Sequence, residues 1–183
     1  MIELVYETHS LTTDNEAGIA TGWLPGRLSE TGKAAARALG ERRRDDGIEL
    51  VFTSDLARAV ETAEAAFAGS SLVIREDARL RECNYGELNG HPVAEIDAER
   101  LSRIGTPFPG GESYLDVVER TRNFLAGLAA EGPARVLVIA HSANRWAIEH
   151  LLEGTPLEVL LAAPFAWQEG WVYPLDGERL AQG

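Results

Sequence analysis

Cysteine occurs once, at Cys83, so the chain cannot form an internal disulfide and a fold stapled by disulfides is excluded. No apolar run approaches the roughly 18 residues of a membrane-spanning helix. The amino terminus enters a strand-like pattern directly, without the basic segment and apolar stretch of a secretory signal. A soluble, cytoplasmic protein is expected. Basic residues are also scarce: 17 Lys and Arg against 29 Asp and Glu give a net charge of −12. Long-range repulsion then disfavours nucleic acid and anionic membranes as partners, so an anionic small molecule must be held by groups local to its site. Neither internal repeats nor low-complexity tracts are present. What is there is ordinary globular material, 45% apolar and 25% charged. A chain of this length buries about 70% of its unfolded surface around one core, and one domain over residues 1–183 is expected.

Short runs rich in Val, Leu and Ile, "IELVY" (2–6), "ELVFTS" (49–54), "SLVIRE" (71–76) and "RVLVIA" (135–140), read as strands buried on both faces, with a weaker fifth, "GWVYPL" (170–175), at an edge. Helical patterns lie between them: 30–45 behind Ser29, 55–67 behind Ser54, 113–130 behind Ser113 or Glu112, and 143–153 after "HSAN". This alternation predicts an α/β fold, a three-layer sandwich with a mostly parallel central sheet and helices on both faces, whose ligands collect at the carboxyl ends of the strands. Residues 83–112 break the alternation, with a polar helical pattern near 92–103, and read as an edge excursion too poor in apolar residues for its own core. The run "ERRRDDG" (41–47) reads as a solvated face whose cations complement a helix C-terminus.

Three pieces, "THS" (8–10), "SDLARAVETA" (54–63) and "AHSAN" (140–144), each follow a buried-strand pattern. Two imidazoles, His9 and His141, with the guanidinium of Arg58 would suit a phosphoryl group, one neutral imidazole attacking phosphorus while cations stabilise the equatorial oxygens. Arg58 falls in a first helical turn, where backbone N–H groups favour anions. Cys83 has no second cysteine and no histidine at metal-ligand spacing, and reads as a packing residue, so no metal or cofactor is expected. His91 and His150 read as surface or capping residues. The aromatic "FAWQEGWVY" (165–173) suits a pocket wall, a subunit interface or core packing alike, and leaves room for a homodimer.

The ordered set "TH" (8–9), Asn15, "TGW" (21–23), "LSETG" (28–32), "FTSDLARAVETA" (52–63), "RLRECNYGELNG" (79–90), "PGGES" (109–113) and "VLVIAH" (136–141) resembles the histidine phosphatase superfamily, in its phosphoglycerate mutase-like branch. The resemblance runs from residue 2 to about residue 150. It implies a phosphoryl acceptor at His9, phosphate contacts from Arg58 and His141, and a proton donor at Glu82 that later serves as base. From the residues alone a salt bridge from Glu82 to Arg79, Arg81 or a nearby cation is the favoured reading. Asn15, Thr21 and Gly22 match positions around the phosphate, and Thr8, Ser10, Tyr85 and Ser142 complete the expected substrate-binding set. The family's usual Arg-His-Gly stands here as Thr8-His9-Ser10, with Glu7 adding negative charge. Either another arginine (Arg27, Arg81 or Arg145) fills the vacated place, or the substrate brings its own cation or a less charged group. The expected function is hydrolysis of a small phosphorylated metabolite through a phosphohistidine. The alternatives are phosphoglycerate mutase-type transfer and an anion-binding domain with impaired turnover.

Overall fold

The computed structural model describes residues 1–176, so the last part of the expected 1–183 domain, residues 177–183, lies outside the described residues. In chain order the elements are β1 (Ile2–Thr8), α1 (Thr13–Glu16), β2 (Ile19–Ala20), α2 (Glu30–Arg43), β3 (Leu50–Thr53), α3 (Ala57–Ala66), β4 (Val73–Glu76), β5 (His91–Pro92), α4 (Val93–Glu99), α5 (Tyr114–Glu131), β6 (Arg135–Ala140), α6 (Ser142–Glu153), α7 (Leu157–Ala162) and β7 (Trp171–Leu175). Five strands form one sheet in the order β4-β3-β6-β1-β7. The first four run parallel and β7 antiparallel to β1. Among the described residues no helix is long and apolar enough to cross a membrane.

Strand periodicity explains the three layers. Leu4 and Tyr6 of β1, with Val136 and Val138 of β6, face a core made with Phe124, Leu125 and Leu128 of α5 and Ile148 of α6. Their neighbours Val5, Leu137 and Ile139 face the other way, onto Leu39 of α2, Ala63 of α3 and Phe67 at the C-cap of α3. Strands apolar at every position thus need helices on both sides. Close approach of α2 and α3 depends on Gly40, where a Cβ would fall 1.9 Å from the Ala66 carbonyl oxygen.

Several expectations need correction. "SLVIRE" is not buried on both faces: it forms the edge strand β4, with Val73 55% exposed. Ser54 does not cap α3, which starts at Ala57 behind Leu56 and has no side-chain cap. Ser113, not Glu112, caps α5, through a capping box with Asp116. The polar pattern near 92–103 is α4 followed by a 3₁₀ turn at Arg100–Arg103. Within 83–112, Cys83, Tyr85, Ile96 and Phe108 join Val117, Val118 and Trp146 in a third apolar cluster beside α5 and α6.

Candidate active site

Register brings the chemistry together. Thr8 pairs with Ala140 and Thr53 with Ile139, so β1, β6 and β3 end side by side and deliver His9, His141 and Ser54 to one place. The His9 and His141 ring centroids are 5.1 Å apart. His9 Nδ1 lies 2.8 Å from the Ser10 carbonyl oxygen, which can only accept, so Nδ1 carries the proton and Nε2 keeps its lone pair. Arg58 Nε donates to that Nε2 at 3.3 Å, and its Nη2 donates to the Gly22 carbonyl at 2.8 Å. Burial and then the Arg58 charge pull His9 down from 6.5 to about 3, so the ring is neutral at neutral pH. His141 is driven down the same way, by burial first and then by Arg58 and His9. Ser54 Oγ sits 2.6 Å from His141 Nε2 and orients the ring, while Tyr6 Oη donates to the His141 backbone carbonyl at 2.5 Å. Among the described residues His141 Nδ1 has no partner.

Glu82 lies just past a 3₁₀ turn, Ala78–Leu80, that follows β4, and is 7% exposed. Arg79 and Arg81 do not pair with it: Arg79 binds Asp77, and Arg81 binds Asp55 through two contacts of 2.7 and 2.5 Å. Instead the carboxylate meets the start of α6. Oε1 accepts from Cys83 N at 2.8 Å and Ala143 N at 3.3 Å, and Oε2 accepts from Ser142 Oγ at 3.0 Å. A carboxylate at a helix N-terminus satisfies open N–H groups and complements the dipole, which explains why His141 makes no side-chain cap there. Trp23 Nε1 and Arg120 Nη2 both donate to the Glu82 carbonyl, at 2.7 and 2.9 Å, and fix its backbone.

A cavity of about 590 Å³ opens over these groups, lined by every expected site residue except His141, which is fully buried behind it. The hydroxyl of Thr21 donates to Asp14 at 2.8 Å. Asn15 spends its Oδ1 on the Thr12 amide, as part of the capping box that begins α1. Gly22 has φ +55°, and a Cβ there would fall 1.8 Å from Asn89 Oδ1, the atom that ties the 21–23 turn to residues 85–89. The Ser10 amide donates to Thr62 Oγ1 at 3.0 Å.

Arg27, Arg81 and Arg145 do not line the cavity; each is engaged elsewhere, with Glu61, Asp55 and Glu149. Two of the arginines that sequence reasoning missed are in "ERRRDDG", which is only partly a solvated face. Arg44 is exposed, but Arg42 and Arg43 reach the buried Glu7, whose Oε1 accepts from Arg42 Nη2 at 3.1 Å and from Arg43 Nε and Nη2 at 3.0 and 2.7 Å. Arg42 also lines the cavity. Thr62 and Arg120 were missed as well, and Ser54 was placed at a strand end without a role beside His141. For Ser54 a signal existed, since it ends a strand pattern next to the site; for Arg120 there was none.

Comparison with known proteins shows the family and the fold. The profile of the histidine phosphatase superfamily (branch 1) matches residues 8–169. Glucosyl-3-phosphoglycerate phosphatase of Mycobacterium tuberculosis is 37% identical over 142 residues, 71% of this chain and 61% of that protein, so the match spans less than two thirds of the relative's length. A 2,3-bisphosphoglycerate-dependent phosphoglycerate mutase of Gloeobacter violaceus is 39% identical over 157 residues, 77% of this chain and 71% of the mutase. A solved structure of the mycobacterial glucosyl-3-phosphoglycerate phosphatase with VO3 superimposes with a TM-score of 0.79 at 32% identity, covering 90% of this chain and 88% of that one. YhfR of Bacillus stearothermophilus, at 24% identity, supports the fold alone, with a TM-score of 0.83 over 97% of this chain and 93% of its own.

Proposed function

The chain belongs to the histidine phosphatase superfamily, and from that premise we propose that it hydrolyses a small phosphomonoester through a phosphohistidine at His9. The observation that carries this is the lone pair on His9 Nε2, kept unprotonated and 3.3 Å from Arg58 Nε, where a bound phosphoryl group would displace the guanidinium contact and meet the nucleophile. Nε2 attacks phosphorus as the P–O bond to the leaving group breaks. Glu82 gives the departing alkoxide a proton, then as carboxylate takes one from the water that attacks phosphohistidine, releasing phosphate and restoring His9. Arg58 and His141 stabilise the transferring oxygens, and Asn15, Thr21, Gly22, Ser10, Tyr85 and Ser142 shape the surroundings. One domain, cytoplasmic and working without a metal, is the form we assign to the enzyme.

Thr8, where the family usually carries arginine, leaves the phosphate with one guanidinium, because the charge of Arg42 is offset by Glu7. Losing one well-placed donor costs about 2.7–4 kcal/mol out of the roughly 8–23 kcal/mol that enzymes supply, which slows such a site without silencing it. The test is hydrolysis of p-nitrophenyl phosphate in the presence of chelator, with rapid-quench detection of an acid-labile phosphoryl group on the peptide carrying His9. Both signals should vanish in His9→Ala. Undiminished turnover by that variant overturns the proposal. So does interconversion of 3- and 2-phosphoglycerate that depends on 2,3-bisphosphoglycerate.

A further inference from the structure

We propose that the phosphomonoester accepted here carries an uncharged, ring-bearing leaving group, and not a carboxylated one such as glycerate; the inference rests on the phosphatase reading above and names its substrate class. Size is the first ground. About 590 Å³ lies within the range of roughly 300–1,000 Å³ that holds ligands of many heavy atoms, far more than a phosphoryl group on a three-carbon acid requires.

The wall beyond the phosphate end is the second ground. It is made by Tyr85, Ile96, Trp146, Phe165 and Trp167. Most of these rings are locked edge to face: Tyr85 against Phe108 at 5.3 Å, Phe108 against Tyr114 at 6.2 Å, Tyr114 against Trp146 at 6.1 Å, and Trp146 against Phe165 at 6.1 Å. A wall of rings held by one another presents apolar surface without needing to reorganise, which favours a planar or apolar guest. Trp167 stands at the mouth with 62% of its surface exposed, an indole that a bound ring would cover.

Charge is the third ground. Among the described residues the lining holds four carboxyl groups, Glu7, Glu82, Asp97 and Glu169, of which Glu82 is the proton donor of the proposed reaction, and three guanidiniums. Arg58 is given to His9 and the phosphate. Arg42 is held by Glu7 at 3.1 Å. Arg100 is paired with Asp97 and stacked over Trp146 at 5.0 Å. Among the described residues no cation of the lining is left unpaired to receive a second anionic group, which a bound phosphate dianion also repels.

Binding separates this inference from the question of turnover. Isothermal titration of the full chain with ethylphosphonate, 2-phenylethylphosphonate and 3-phosphonopropionate reads the preference with ligands that cannot be hydrolysed. The phenylethyl ligand is expected to bind about 10-fold or more tightly than the ethyl one, from burial of one ring. The carboxylated ligand should gain nothing over ethyl. Trp167→Ala and Phe165→Leu should each shrink the phenylethyl-to-ethyl ratio by about 3-fold or more. Equal affinity for the two neutral ligands, or tightest binding of the carboxylated one, overturns the inference. A chain with the aromatic preference that hydrolyses neither 2-phenylethyl phosphate nor ethyl phosphate keeps this inference and loses the phosphatase reading. A chain that hydrolyses both at equal kcat/KM and binds both phosphonates equally does the reverse.

Discussion

At His9 the fold protects a lone pair, not a charge, and that has a stability consequence. The unfolded chain takes up a proton on this ring as pH falls below about 6.5, whereas the folded chain resists until about 3. Between those values the unfolded state binds more protons, so stability is complete above the upper limit and is lost as pH falls through the window. His141, lowered by the same burial, adds to the loss in the same direction. Urea midpoints measured from pH 7 to pH 4 should fall less steeply for His9→Asn than for the unaltered chain; equal slopes would show that His9 is not held neutral. Glu82 invites a kinetic separation. In Glu82→Gln, kcat for an alkyl phosphate should fall by about 10²–10⁴-fold, the range for loss of a positioned acid. With p-nitrophenyl phosphate the leaving group needs no proton, but water still needs a base, so phosphohistidine should accumulate in quenched samples. Its failure to accumulate would remove Glu82 from the second step.

Elements carried their own evidence in the sequence where the cause was local. Ser29 caps α2 as its spacing predicted, and Ser113, one of two caps the sequence offered, caps α5, because an N-cap hydroxyl needs only the amide three residues on. The end of α2 was misread for the opposite reason. Three arginines at a helix C-terminus look alike in sequence, and what distinguishes Arg42 and Arg43 from Arg44 is a buried carboxylate on β1, more than thirty positions away. Glu7 raised concern as a negative charge beside the nucleophile; the two arginines offset it and tie α2 to the strand that bears His9. Arg43→Ala should therefore cost about 1–3 kcal/mol, since Arg42 remains as partner but part of the buried carboxylate's bonding is lost. Arg44→Ala, whose exposed side chain pairs with Glu41, should stay within about 0.5 kcal/mol of the parent. Chemical denaturation of the two variants side by side decides it, and equal destabilisation would mean that the Glu7 contacts contribute little.

For the whole molecule, alternation of strand and helix made the layered class readable, and the strand ends named His9, Ser54 and His141 before any contact was known. Strand order was not readable: apolar runs of equal quality became the central β6 and the exposed edge β4, because burial depends on what packs outside a strand and not on its own composition. The cavity was legible only as separate hints, since Tyr85, Arg100, Trp146 and Phe165 come from four segments that meet through tertiary packing. Net charge acts at this scale too. At −12 the chain repels a phosphate dianion over the full Debye length, roughly 30 Å at 0.01 M salt and 8 Å at 0.15 M, while Arg58 acts only at contact. Raising ionic strength across that range should increase kcat/KM for a phosphomonoester severalfold through KM and leave kcat nearly level, because screening weakens the distant repulsion more than the short-range attraction inside the cavity. Steady-state kinetics in a salt series reads this directly, and a steep fall in kcat/KM would mean that the local positive field of the site, not the acidic surface, governs the approach of substrate.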